Sequence, residues 1–279
     1  MALGSLAPID RAALLYAGIA VVLAIGRSPG GPPPGVLAAP ALLALIAARL
    51  APRARKAGPG GRFLAEFYPL LLAPALYTQI GIVNSAAGVS HDATVRGWEH
   101  AVFGGQPALE WIRAWPGSAL SWAMHLGYLS YYFILAGAPA ALWFTGRREA
   151  ARRTLFLMTT TFYFCYTVFL LFPVAGPRYL FPLPQNAATS VPIAVFTHRL
   201  VESGSAWGTA FPSSHVAVGF VTAICAARAW PALGAVLLPA SVLLALGTVY
   251  GQFHYGVDAL AGTAVAAVAL VLGCRRPSA

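Results

Sequence analysis

Residues 232–273 read ALGAVLLPASVLLALGTVY, then GQFHY, then GVDALAGTAVAAVALVLG: two apolar runs of 19 and 18 residues around a five-residue polar step. His254 is the only imidazole in this stretch and Asp258 the only carboxylate. A helix needs about 20 mostly apolar residues, with a working range near 17–25, to cross the hydrocarbon core of a bilayer. Each run therefore predicts one membrane-spanning helix. The same test applied outward gives eight spans, at about 11–26, 36–51, 63–84, 118–144, 153–174, 212–230, 232–250 and 256–273. Composition agrees. Of 279 residues 58% are apolar and only 9% charged, against roughly 25% charged in a soluble domain, and the mean hydropathy is +0.70. So few charges cannot cover a water-soluble globule. The expected fold is an all-α polytopic helix bundle: an N-terminal hairpin over 1–62, then a membrane core over 63–279 with six of the eight spans. The run 11–26 reads as a retained span, because its flanks make a poor signal-peptide cleavage site.

The formal net charge is +10, but 17 of the 18 basic residues are Arg, in short clusters between apolar runs. Clusters of that kind set orientation in a membrane and do not make a nucleic-acid face; no nucleic-acid partner is expected. With the N-terminus cytoplasmic, 13 basic residues fall inside and 5 outside. The predicted topology has both termini cytoplasmic in a plasma membrane of bacterial type. Cys165, Cys225 and Cys274 lie in or at the end of apolar segments, spaced for neither a disulfide framework nor a metal cluster. No metal and no cofactor is expected.

The outer connections carry the chemistry. In 85–117, which includes His91, Asp92, Glu99, His100 and Glu110, the pattern Trp98, Val102, Phe103 and then Leu109, Trp111, Ile112 after Pro107 predicts two short amphipathic helices at the interface. The stretch 175–211 reads as a long Pro/Gly-rich loop carrying Arg178. Ionisable groups in or against a span are functional candidates, because embedding one costs at least ~2.5 kcal/mol. Glu66 is expected to pair with Arg62 near the inner face. His125 stands before Tyr128, Tyr131 and Tyr132, which read as an interfacial aromatic belt. His254 and Asp258 are four apart, so the carboxylate can hold one imidazole nitrogen and leave the other free. Pro212-Ser213-Ser214-His215 opens a span with a helix N-terminus and two hydroxyls, a setting suited to an anion. The topology puts Arg178, His215, His254 and Asp258 at one level on the extracytoplasmic face.

These motifs resemble the type-2 phosphatidic acid phosphatases, membrane enzymes acting on lipid phosphates. Pro212-Ser213-Ser214-His215 is similar to that family's Pro-Ser-(Gly/Ser)-His motif, His254 to Asp258 to the His-x-x-x-Asp end of its last motif, and Phe172 to Tyr179 to its Arg-containing first motif. Three positions depart: Leu171 where the family has Lys, Tyr179 where it has Pro, and Thr248 where it has Arg. These departures, with Gly176-Pro177-Arg178, are closer to the branch of inositol phosphorylceramide and sphingomyelin synthases. The segment from Asp92 to Phe103 and the Tyr128, Tyr131, Tyr132 group also resemble that branch.

The resemblance implies His254 as nucleophile forming a phosphohistidine, Asp258 orienting its ring, and His215 moving the proton. Arg178, Ser213 and Ser214 would hold the phosphoryl oxygens. The implied substrate is a membrane lipid phosphate, with hydrolysis or transfer to a lipid or polyol acceptor both open. Two other classes use the same residues: a transporter or flippase with a His/Asp proton relay, and a zinc-dependent intramembrane enzyme, although no His-Glu-x-x-His motif is present.

Overall fold

The computed structural model describes residues 6–27 and 34–274. Helices α1 (Pro8–Arg27) and α2 (Pro34–Ala54) precede α3 (Pro59–Ala87). The short α4 (Asp92–Phe103) and α5 (Pro107–Ala114) follow, then α6 (Ser118–Tyr132) and α7 (Ala138–Phe144), joined by a π-helical turn over Phe133–Gly137. Next come α8 (Arg148–Leu171), the single turns α9 (Pro177–Leu180) and α10 (Ala187–Ser190), and α11 (Pro192–Gly204). The chain closes with α12 (Ser214–Ala229), α13 (Pro231–Tyr250) and α14 (Gly256–Cys274).

Helices stand at all eight expected positions. Among the described residues six are long and apolar enough to cross a membrane: α1, α3, the α6–α7 unit, α8, α13 and α14. The protein is thus an all-α polytopic membrane helix bundle. The α6–α7 unit runs through its widened turn as one 27-residue element. Pro139 lies just beyond that turn; it lacks an N–H, and its ring crowds the carbonyl four residues back, which a wider turn relieves.

With 16 residues, α12 spans only about 24 Å at 1.5 Å per residue. It is the central helix, packed against α7, α8, α13 and α14, and small residues let its neighbours approach. Around it α6 and α13 touch backbone to backbone: a methyl on Gly247 would lie 2.2 Å from the Met124 carbonyl oxygen, and one on Gly127 2.7 Å from that of Leu243. Close approach through small residues is how membrane helices associate without a hydrophobic drive between them.

The first two helices pack on α3 and α8, with Tyr16 stacked on Tyr163 at 4.7 Å. An ion-pair cluster fastens the start of α1 to the end of α2 and to α3. Asp10, fully buried, accepts two bonds from Arg55 at 2.7 and 3.0 Å and one from the Tyr68 hydroxyl at 3.1 Å. The predicted Glu66–Arg62 pair is replaced: Glu66 faces Arg55 at 3.2 Å and Arg152 at 3.5 Å, while Arg62 donates to the Arg55 carbonyl. Pairing one turn apart on a helix competes here with a tertiary partner that can serve two carboxylates at once.

The connection 85–117 holds the two short helices expected of it. The connection 175–211 is more ordered than expected, since α11 fills 13 residues of it. Its buried face, Ala194, Thr197 and Val201, follows an i, i+3, i+7 stripe that the surrounding Pro and Gly residues obscured.

Candidate functional site

Three backbone segments converge outside the start of α12. Val174 and Thr209 form a parallel bridge, in which the Ala210 N–H donates to the Val174 carbonyl at 2.9 Å. The Ala210 carbonyl in turn accepts from His254 Nδ1 at 2.9 Å. Gly176 turns the chain into α9 with φ +98°, a conformation side-chain-bearing residues rarely adopt, and a methyl there would come within 3.0 Å of Ala210. At the end of α13 the backbone N–H groups of Phe253 and His254 both donate to the Thr248 carbonyl, a tight turn that swings His254 back over α12.

This arrangement brings Arg178, His215 and His254 to the wall of one cleft of about 30 Å³, shared with Tyr77, Tyr128, Tyr179 and Thr209. His254 Nε2 faces His215 Nδ1 at 3.4 Å, and the Tyr128 hydroxyl stands 3.4 Å from His215 Nε2. Tyr131 flanks the His215 ring at a centroid distance of 4.5 Å. The Arg178 guanidinium lies 4.5 Å over the Tyr179 ring and donates to that residue's hydroxyl. His254 is 5% exposed, and burial lowers its pKa to about 4 against the pull of its bond to Ala210. The ring is therefore neutral at physiological pH, with its proton on the nitrogen that meets a carbonyl and a lone pair on the nitrogen in the cleft.

Asp258 lies behind the cleft, not in it. Its Oδ2 is 3.4 Å from His254 Nδ1 and accepts from the Tyr255 N–H at 2.8 Å. The carboxylate stands beside one imidazole nitrogen as expected, but not across one helix face. His254 precedes α14, so the two residues do not share a helical turn, and the nearer acceptor is the Ala210 carbonyl. The two serines lie outside the cleft lining as well. Ser213 caps α12 by accepting from Val216 N at 3.4 Å, and Ser213 and Ser214 are both buried.

His125 is separated from the cleft by Phe253. It bonds its own helix through Ser121 and packs near His198, with ring centroids 5.4 Å apart. The aromatic-belt reading fails for Tyr128 and Tyr131, which are buried beside His215, while Tyr132 is 44% exposed. Sequence reasoning missed Tyr77 and Thr209, whose hydroxyls meet at 2.8 Å, because neither lies in a motif. Among the described residues no group of three or more His, Cys, Asp or Glu side chains is arranged to hold a metal ion.

Fold and cleft together define a class: an integral membrane helix bundle with two facing imidazoles and a guanidinium gathered at helix starts. Comparison with known proteins narrows it. The sequence profile of the PAP2 superfamily matches residues 94–272, and the chain belongs to that superfamily. It is 29% identical over 120 residues to a PA-phosphatase related-family protein of Dictyostelium discoideum. The matched stretch covers 41% of this chain and 22% of that relative's length. No solved structure matches.

Proposed function

We propose that the protein is a membrane lipid phosphatase or phosphotransferase acting through a phosphohistidine. The observation that carries this is the contact of His254 Nε2 with His215 Nδ1 at 3.4 Å in the cleft that Arg178 lines. In this reading the lone pair on His254 Nε2 forms the N–P bond while the P–O bond to the leaving alcohol breaks. His215, which takes up a proton as the phosphate anion enters the cleft, gives that proton to the leaving oxygen. It then takes a proton from water or an acceptor hydroxyl, which attacks phosphorus and frees His254. Arg178 holds the phosphoryl oxygens as charge spreads over them, helped by the positive end of the α12 dipole, which Ser213 caps from outside the cleft lining. Asp258 backs the imidazole as charge develops on it. The reaction needs no metal in this reading, because the guanidinium and the N–H donors carry that part.

Charge favours a phosphodiester donor and hence the inositol phosphorylceramide and sphingomyelin synthase-like branch. Among the described residues Arg178 is the one fixed cation in the cleft lining; Leu171 is exposed, and Thr248 is buried with its hydroxyl on the Ala245 carbonyl. The single fixed positive charge of Arg178, beside the mobile proton of His215 and several neutral hydroxyls, matches a singly charged phosphodiester better than a doubly charged monoester. The α1–α2 hairpin is read as an accessory to the core over 63–279. The Arg-rich connections 53–62 and 147–153 support termini on the cytoplasmic side and a cleft on the extracytoplasmic side.

The test is a product assay on protein reconstituted in vesicles, with phosphatidate or phosphodiester lipids and with or without an acceptor alcohol. The expected product is a new phosphodiester, still formed in strong chelator. Release of inorganic phosphate from phosphatidate alone would overturn transfer, and loss of activity in chelator would overturn the metal-free route.

The low pKa of His254 sets the acid limb of the rate profile. A free imidazole would lose its nucleophilic form below about pH 6.5; this one keeps it down to about 4. The ratio kcat/KM is expected to stay high through pH 5 and fall toward pH 4. A fall centred near 6.5 would contradict the buried neutral ring. The linkage has the same sign: the unfolded chain binds this proton first, so stability attributable to the neutral ring is complete above 6.5 and declines as pH drops toward 4.

A further inference from the structure

We infer that α4 is a clamp that sets the distance between the two loops carrying Arg178 and His254, with Asp92 and Glu99 as its positioning residues. The inference rests on the functional reading above. Asp92, Val95 and Glu99 recur at i, i+3 and i+7 and are the buried residues of α4, so they form one inward stripe with a carboxylate near each end.

The Asp92 carboxylate accepts from the backbone N–H groups of Ala175 at 2.8 Å and Gly176 at 2.9 Å, the turn leading directly into Arg178. It also accepts from the Tyr255 hydroxyl at 2.9 Å, next to His254, and from the Ser90 hydroxyl. Glu99 accepts from the N–H groups of Gly256 at 2.9 Å and Val257 at 2.8 Å. Those donors are the free first-turn groups of α14, where a carboxylate also meets the positive end of the helix dipole. The Phe103 ring packs on the Gly256 backbone as well: a methyl on Gly256 would lie 2.7 Å from it.

One rigid helix thus holds the Arg178 loop by two N–H groups and the His254 loop by two N–H groups and a phenol. Neither carboxylate lines the cleft. Their effect passes through the placement of Arg178 and His254, where an error near 1 Å costs about 100-fold in rate.

The test compares Asp92→Asn, Glu99→Gln and Tyr255→Phe in full-length protein in vesicles, by amide exchange and by steady-state kinetics. Asp92→Asn is expected to raise exchange in both 174–178 and 255–258 and to lower kcat about 100-fold with KM nearly unchanged. Glu99→Gln and the fold-sparing Tyr255→Phe should loosen 255–258 alone, and Tyr255→Phe should lower kcat about 10-fold, the worth of one hydrogen bond. Parent-like exchange in either loop of Asp92→Asn would overturn the clamp. So would a loosened Tyr255→Phe loop with unchanged kcat, or exchange raised equally through α6, α8 and α13. Turnover surviving His254→Ala would instead overturn the functional reading and leave the exchange comparison standing.

Discussion

Substituting His254 with alanine is expected to lower kcat at least about 10³-fold, which is about 4 kcal/mol of transition-state stabilisation. The size follows from the proposed role: a nucleophile cannot be replaced by binding, and in that reading what survives its loss is only the polarising effect of Arg178 and the helix start. The fold should persist, because the imidazole gives the protein one neutral hydrogen bond to Ala210, worth about 1 kcal/mol. His254→Gln refines the test by offering that carbonyl a donor without a nucleophilic nitrogen, and it should be equally inactive. Incubation with a lipid labelled at phosphorus should leave acid-labile label on the parent and none on either variant. Near-parental turnover by His254→Ala would remove this residue as the attacking group.

The second large effect lies at the other end of the bundle. Asp10→Ala is expected to destabilise the protein by about 2–3 kcal/mol, at or just below the usual cost of stripping one partner from a buried pair. The low figure follows from Arg55, whose side chain keeps 20% exposure and regains some hydration. Tyr68 loses its acceptor in the same step. Thermal unfolding in detergent should show a fall of roughly 5–10 °C. Turnover of the folded fraction should be unchanged, because nine residues of α3, about 14 Å of helix, separate Tyr68 from Tyr77 in the cleft. An unshifted Tm would mean that the cluster stabilises nothing net; a changed kcat would mean that it communicates with the cleft.

Much of this molecule was legible along the chain. Runs of apolar residues near bilayer length located helices at all eight positions, six of them long and apolar enough to cross a membrane, because a membrane forces each crossing segment to bond its own backbone internally. The motif residues Arg178, His215 and His254 were readable for a related reason: a charged or titrating side chain beside such a run is costly enough to stand out. What could not be read was whatever depended on a partner distant in sequence. Glu66 chose Arg55 and Arg152 over Arg62. Tyr128 and Tyr131 look like belt residues until His215 is placed beside them. The i, i+3, i+7 stripe of α11 was hidden in a Pro/Gly-rich stretch, and Tyr77 lies in an unremarkable apolar run.

The sequence by itself determined an all-α membrane bundle and the residue types able to handle a phosphoryl group, because hydropathy and helical period act locally. Only the tertiary structure decided which atoms meet. It put the Ala210 carbonyl ahead of Asp258 at His254, buried both serines behind the cleft, and set Asp92 and Glu99 across two loops. Hydrogen bonds extend only about 3 Å, so their pairing is fixed by how helices and turns pack, and no spacing along the chain encodes it.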